Sequence, residues 1–293
     1  MTLLQLLVSG VLLGGLYSLI AMGLTLIFGV MRLVNFAHGE FVTLGMYAAF
    51  WFYLSFGGNP YLSAVLVVPL SLVAGWMLER TMFRRMRSAP PAMQMLVTFG
   101  LSLALQNAML LAFGGDYRSV RNGFAQGSLH FGTIDVGVGQ LIAFVASILI
   151  GAGLIVALKY TRIGRALRAV QENRYAIALM GVNVERLFGI AFAIGICLAA
   201  LAGVLIAPNY FISPTVGGGL VFTGFVVVVL GGLGSLGGAV VGGMIIGVVE
   251  SVAGFYLPGN LKGSFSLAVF ILVLLLRPAG LFGRRGAEEV GFK

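Results

Sequence analysis

Apolar runs recur along the chain at residues 3–29, 41–56, 61–78, 93–113, 136–158, 187–207, 220–233, 236–257 and 264–276. A helix needs about 20 apolar residues to cross the hydrocarbon core of a bilayer. A backbone in lipid must satisfy its own polar groups, which leaves a helix bundle or a closed barrel. These runs are continuous, rich in Leu, Val, Ile, Ala and Gly, and lack the polar/apolar alternation of barrel strands. The fold expected is therefore all-α, a polytopic transmembrane helix bundle. Runs 220–233 and 264–276 are short for a complete crossing, so tilted, broken or re-entrant segments are expected among eight or nine spans. The chain is 59% hydrophobic and 9% charged, with a mean hydropathy of +1.05, whereas about a quarter of the residues of a soluble domain are charged. No linker or composition break divides residues 1–293, which read as a single transmembrane domain.

The net charge of +9 is concentrated. Fourteen of the 18 lysines and arginines fall in segments 79–91, 159–186 and 277–293, between or after apolar runs. That distribution follows the positive-inside rule and places the three segments in the cytoplasm; nucleic acid is not an expected partner, and membrane lipid is. Segment 114–135 then faces outside, and counting back over three runs puts Met1 outside as well. A re-entrant segment near residues 31–40 would reverse the N-terminus. The first cation is Arg32, so the first 30 residues are expected to be a retained span and not a cleaved signal. Cys197 is the single cysteine, and an intrachain disulfide is impossible.

Enzyme chemistry is tested by its required parts. A phosphate-binding loop ends in Gly-Lys-Ser/Thr after a glycine-rich turn, and none is present. Ser235 lies among glycines, but a nucleophile elbow requires Gly two residues earlier, where Leu233 stands. One cysteine and two well-separated histidines, His38 and His130, do not make a metal site. The chain is expected to be no enzyme and to bind no cofactor or metal.

Several residues stand out against the apolar background. Gly234, Gly238 and Gly242 recur every four residues, as do Gly243 and Gly247, and Gly10 and Gly14, a spacing that lets helix backbones approach in lipid. The run containing Gly231, Gly232, Gly234, Gly237 and Gly238 is too flexible for a helix interior and reads as a tight turn or break. In the polar segment 159–186, Arg162, Arg165 and Arg168 recur every three residues, with Ile163, Leu167, Val170 and Ile177 at helical spacing. This is a short amphipathic helix stopped by Gly181 and Asn183. It lies along lipid headgroups or docks on a partner. Asn35 is placed to cap a helix starting near Phe36, with Glu40 in its positive first turn; Asn35, His38 and Glu40 are equally candidates for the cytoplasmic mouth of a pathway. Glu250 lies within run 236–257, and an intramembrane carboxylate is a functional candidate by default. Its position eight residues before Pro258 also admits a place near the outer interface. Gln94, Gln106 and Asn107 are read as interhelical hydrogen-bonding groups.

Four motifs in order carry a resemblance. Residues 35–47 (NFAHGEFVTLGMY), Gly164-Arg165-Ala166 through Gly181, Gly231 to Gly238, and Arg277 to Gly283 (RPAGLFG) resemble LivH-type permease subunits of the branched-chain amino acid ABC transporter family. Segment 159–186 is similar to the coupling loop of ABC importer permeases, whose pattern is Glu-Ala-Ala, three residues, then Gly. Tyr175, Ala176, Ile177 and Gly181 occupy those places, so the Glu and the second Ala are replaced. The resemblance implies an ABC importer permease-like fold in a bacterial inner (plasma) membrane and a cytoplasmic tail at 277–293. It also implies import of Leu, Ile, Val or similar small solutes. The implied partners are a second, LivM-like permease, two ATP-binding cassette subunits that use ATP, and a periplasmic substrate-binding protein. It assigns Arg165, Tyr175, Ala176, Ile177 and Gly181 to ATPase coupling. The alternative is a secondary transporter of small solutes that uses Glu250 as an ion-coupling carboxylate.

Overall fold

A computed structural model describes residues 3–120, 127–131, 134–256, 262–277 and 279–283. Arg121, Pro258, Pro278, Arg284, Arg285 and Lys293, and with the last three most of the expected tail 277–293, lie outside the described residues. Each apolar run becomes a helix: α1 (Leu3–Met31), α2 (His38–Phe56), α3 (Ala64–Thr81), α4 (Pro91–Phe113), α5 (Val138–Tyr160), α8 (Val184–Ile206), α9 (Val216–Gly231), α10 (Leu236–Tyr256) and α11 (Lys262–Leu276). Two further helices, α6 (Arg162–Glu172) and α7 (Arg174–Leu179), occupy the basic loop. A hairpin of β1 (Ser128–Phe131) and β2 (Ile134–Gly137) pairs antiparallel before α5. Among the described residues, six helical segments are long and apolar enough to cross a membrane: α1, α4, α5, α10, and α3 and α8 with their adjoining 3₁₀ turns. Helices α9 and α11 are shorter, as their runs are.

The buried core is built around α1 and α8, while α4 and α5 expose most of their surfaces. Glycine spacing explains the tightest contacts. A Cβ on Gly10 would lie 2.5 Å from the Val248 Cα, and one on Gly14 would lie 2.6 Å from the Met244 Cα, so α1 and α10 touch backbone to backbone. Gly243 and Gly247 complete that seam, whereas Gly238 and Gly242 turn toward the end of α9. Dispersion contacts and lipid exclusion hold helices together where no hydrophobic gain from water is available.

The two ends of the bundle differ as the charge pattern requires. At one end the Gln5 side chain brackets the Asp135 backbone, donating to its carbonyl at 2.6 Å and accepting from its amide at 2.8 Å. Arg118 pairs with Ile212 there, and Tyr61 donates to the Gly139 carbonyl at 3.4 Å. Residues 29–34, 83–95 and 168–174 meet at the opposite, basic end. Helix α1 therefore starts at the end away from the basic loops, as the count of runs requires. The segment after it does turn back inward, without reversing the topology. His38, the first residue of α2, bonds the Ile20 carbonyl, eleven residues or about 16 Å along α1 from its Met31 end. Helix α2 thus begins deep in the bundle.

Candidate functional site

The basic end is assembled from α6, α7 and the 82–90 turn. Thr161 caps α6 by accepting from the Gly164 amide at 3.0 Å, and Leu167 and Val170 bury its apolar face. They pack with Leu26 and Val30 of α1, Leu158 of α5, and Leu187 and Phe188 of α8. Gly164 is pressed against the backbone of Ala157 and Leu158, where no side chain fits. Arg165 and Arg168 donate to the Tyr160 and Lys159 carbonyls at 3.1 and 3.3 Å, so part of the positive charge satisfies the C-terminal end of α5.

The single amphipathic helix expected across this loop is two. Asn173 interrupts it, leaving α6 and accepting from the Tyr175 and Ala176 amides at 3.0 Å to start α7. Gly181 then ends α7 with a left-handed φ of 78°, while Asn183 belongs to the next helix, capping α8 through the Arg186 amide at 2.9 Å. None of α7 is buried: Tyr175, Leu179 and Met180 are 70%, 90% and 76% exposed. Tyr175, Ala176 and Gly181 of the residues assigned to coupling are exposed at this tip, whereas Ile177 packs inward on the α6 cluster and Arg165 lies back on α6.

An ion-pair cluster ties this loop to the rest of the end. Arg87 pairs with the buried carboxylate of Glu79 and reaches Glu185 at 3.7 Å, and Arg84 meets Glu185 at 2.5 Å. The Arg87 guanidinium also lies 4.8 Å from the Phe188 ring centroid. Sequence reasoning missed the cluster because Arg84 and Arg87 read as orientation charges and Glu185 is about a hundred residues away. Beside it opens a cleft of about 1220 Å³ lined by Arg32, Arg87, Gln94, Arg168, Gln171 and Glu172, among others.

Asn35, His38 and Glu40 are all buried but do not converge. Asn35 does not cap α2; its side chain accepts from the Ala37 amide at 3.1 Å, closing a turn two residues early, and Ala37 holds the cap position with no side-chain bond. The His38 Nε2 lies 3.2 Å from the Ile20 carbonyl, which only accepts, so Nε2 carries the proton. Its ring fills the space left by Gly23, where a Cβ would come within 2.9 Å of Cε1. Glu40 faces the other way, toward α4, and accepts from the Ser102 hydroxyl at 3.0 Å. It does stand in the first turn of α2, as expected, and that turn is interior.

Glu250 is likewise buried, and the contacts beside it, Val248 against Gly10 and the Ser251 hydroxyl on the Leu6 carbonyl, put it toward the outer end of the bundle, the place the sequence also admitted. Tyr17 of α1 donates to it at 2.6 Å and Thr223 of α9 at 3.5 Å, so the carboxylate joins three helices. The glycine run forms the tight turn between α9 and α10: Gly232 and Gly234 have φ of 102° and 83°, and Ser235 accepts from the Gly238 amide at 3.1 Å. Gly231 ends α9, while Gly237 and Gly238 lie in the first turn of α10. The RPAGLFG segment closes on this turn, with the Leu281 and Phe282 amides donating to the Leu230 and Gly231 carbonyls at 2.8 and 3.0 Å. The expected interhelical role of the amides is not seen in the two whose bonds are resolved: Gln94 donates to Met86 and Ala89 in the preceding turn, and Asn107 to Leu103 of its own helix.

The family model described as "Branched-chain amino acid transport system / permease component" matches residues 6–274. The chain is 33% identical to the high-affinity branched-chain amino acid transport system permease protein LivH of Salmonella typhimurium, with 98% of this chain and 97% of the relative covered. It is 32% identical to the corresponding permease protein BraD of Pseudomonas aeruginosa, with 98% of each chain covered. A probable branched-chain amino acid transport permease protein LivH of Methanocaldococcus jannaschii is 30% identical, with 90% of this chain and 88% of the relative covered. No solved structure matches.

Proposed function

The chain belongs to the branched-chain amino acid transport permease family, and on that premise we propose that it is the membrane-spanning subunit of an ATP-driven importer of leucine, isoleucine, valine or similar small solutes. It is a multi-pass inner-membrane transport subunit and not an enzyme. In the proposed assembly a second permease completes the pathway, two ATP-binding cassette subunits supply the energy, and a periplasmic binding protein delivers the solute. The supporting observation is the tip of α7, where Tyr175, Leu179 and Met180 project from the basic end, uncovered by any of the described residues.

The geometry suits transmission of force. A partner that moves α7 moves α6, and the buried face of α6 is keyed between α1, α5 and α8. Packed helices shift as bodies between discrete arrangements, so a displacement at Leu179 reaches the two central helices. The Arg84–Glu185 and Arg87–Glu79 pairs carry the same displacement to the turn joining α3 and α4. The alternative, ion coupling through Glu250, is not favoured: that carboxylate is engaged by Tyr17 and Thr223 at a helix junction.

Leu179→Asp tests the docking role. A charge on this exposed residue leaves the fold intact but opposes burial against a partner. The variant complex is expected to hydrolyse ATP without uptake, or to lose its ATPase subunits on purification. Normal uptake with normal subunit stoichiometry would reject α7 as the docking element.

A further inference from the structure

We propose that Glu40, with Ser102 beside it, is an intramembrane site for the ammonium group of the transported solute, an inference that rests on the permease reading above. Three carboxylates are buried in the described structure: Glu40, Glu79 and Glu250. Glu79 is matched by Arg87, and Glu250 is held by Tyr17 and Thr223. Glu40 differs. It is 1% exposed, its Oε1 accepts from Ser102, and its Oε2 has no hydrogen-bond partner among the described residues. No arginine, lysine or histidine among them forms an ion pair with it. Burying a carboxylate without a counter-ion costs several kcal/mol, so its unmatched oxygen is suited to a cation that arrives and leaves.

Position and surroundings narrow the cation. Glu40 stands one turn above the residues that enter α2 midway along α1, and it points at α4. Two turns along α4 from Ser102, about 10 Å, Met95 and Gln94 line the cleft at the basic end, together with Val34. Between them Thr98 donates to the Val34 and Met95 carbonyls at 3.2 and 2.9 Å, and so joins the start of α2 to α4. A group bound at Glu40 is thus a short step from a cavity that opens where the coupling loop lies. One carboxylate oxygen and a hydroxyl are far too few ligands for calcium, which takes about six to eight oxygens, whereas an ammonium has only three protons to place. One turn away the Phe36 ring packs on Phe99 and Phe225, at centroid distances of 6.4 and 5.3 Å. Apolar rings beside a single anionic group match an amino acid with a hydrocarbon side chain. So sparse a set of ligands makes the site weak, as a site of passage must be.

The experiment uses the intact complex in membranes. Dicyclohexylcarbodiimide, which modifies carboxyl groups within the bilayer, is applied with and without methylammonium, leucine or 4-methylpentanoate, and modification of Glu40 is followed by mass spectrometry. Methylammonium and leucine are expected to slow the modification, and 4-methylpentanoate, which lacks the ammonium, to leave it unchanged. In parallel, Glu40→Gln is expected to lower leucine uptake by about tenfold, the loss of one charge-assisted hydrogen bond, while ATP hydrolysis stimulated by the binding protein persists. Glu40→Asp should retain intermediate uptake. Equal modification rates with and without methylammonium and leucine would overturn the proposal, as would wild-type uptake by Glu40→Gln. If Glu40→Gln fails to assemble, the labelling of the wild-type complex decides alone. Wild-type uptake that does not need ATP would instead defeat the importer reading, and the methylammonium result would still decide the role of Glu40.

Discussion

Two single residues test how local geometry supports the mechanism. Gly181 has a φ of 78°, and a Cβ there would meet nothing within 4 Å. The cost of a side chain is therefore in the backbone, about 1–2 kcal/mol for an ordinary residue and less for Asn, which tolerates this region. Gly181→Val should redirect the chain between α7 and α8 and lower uptake with the protein still in the membrane, whereas Gly181→Asn should transport nearly normally. Equal uptake by the two variants would show that the left-handed turn is unimportant. Tyr17 donates to Glu250 at 2.6 Å. Tyr17→Phe deprives a buried carboxylate of that donor and should destabilise the complex by about 1–3 kcal/mol, seen as a lower thermal denaturation midpoint. An unchanged midpoint would mean that Tyr17 is dispensable to the junction of α1, α9 and α10.

Helices α1 and α10 are joined by glycines, and the contact predicts a sharp contrast between positions. Gly14→Leu would drive a side chain into the Met244 backbone, while Gly153 of α5 has nothing within 4 Å of a Cβ. Overpacking of this kind costs about 1–3 kcal/mol or more. Gly14→Leu should cut the amount of folded permease in the membrane, and Gly153→Leu should leave it unchanged; quantitative immunoblotting of membranes against a thermal challenge distinguishes them. The glycine spacing was legible where the repeat falls inside helices, as at Gly10, Gly14, Gly243 and Gly247, whereas Gly234 of the same spacing serves the turn. What the repeat does not say is which helix it faces, and Gly238 and Gly242 turn out to serve α9 while Gly243 and Gly247 serve α1. The inward start of α2 was admitted only as a re-entrant segment near residues 31–40, for a related reason. A run beginning at Phe41 looks like the edge of a span, and only the contact of His38 with Ile20 shows that it begins inside. Likewise Glu40 gains its meaning from Ser102 on another helix, a pairing that no local pattern encodes. Asn173 and Asn183 were misread or passed over because an asparagine that stops one helix and one that starts the next have the same sequence signature.

At the scale of the molecule, the basic loops and the β-hairpin occupy opposite ends, so sidedness is a single property of the whole bundle. In a Cys197→Ala background, cysteines at the exposed positions Ser88 and Asn173 should react with an impermeant thiol reagent only from the cytoplasm. A cysteine at the exposed Asp116 should react only from outside. Labelling of positions 116 and 173 from the same side would contradict the arrangement. On the proposed reading the energy for uptake enters through the tip of α7; on the alternative it comes from an ion gradient. Leucine uptake into proteoliposomes holding the complete complex separates these directly. With binding protein outside and ATP inside, uptake is expected to proceed, to stop when ATP is replaced by a non-hydrolysable analogue, and to continue when proton and sodium gradients are collapsed. Uptake driven by either gradient in the absence of ATP would contradict the account.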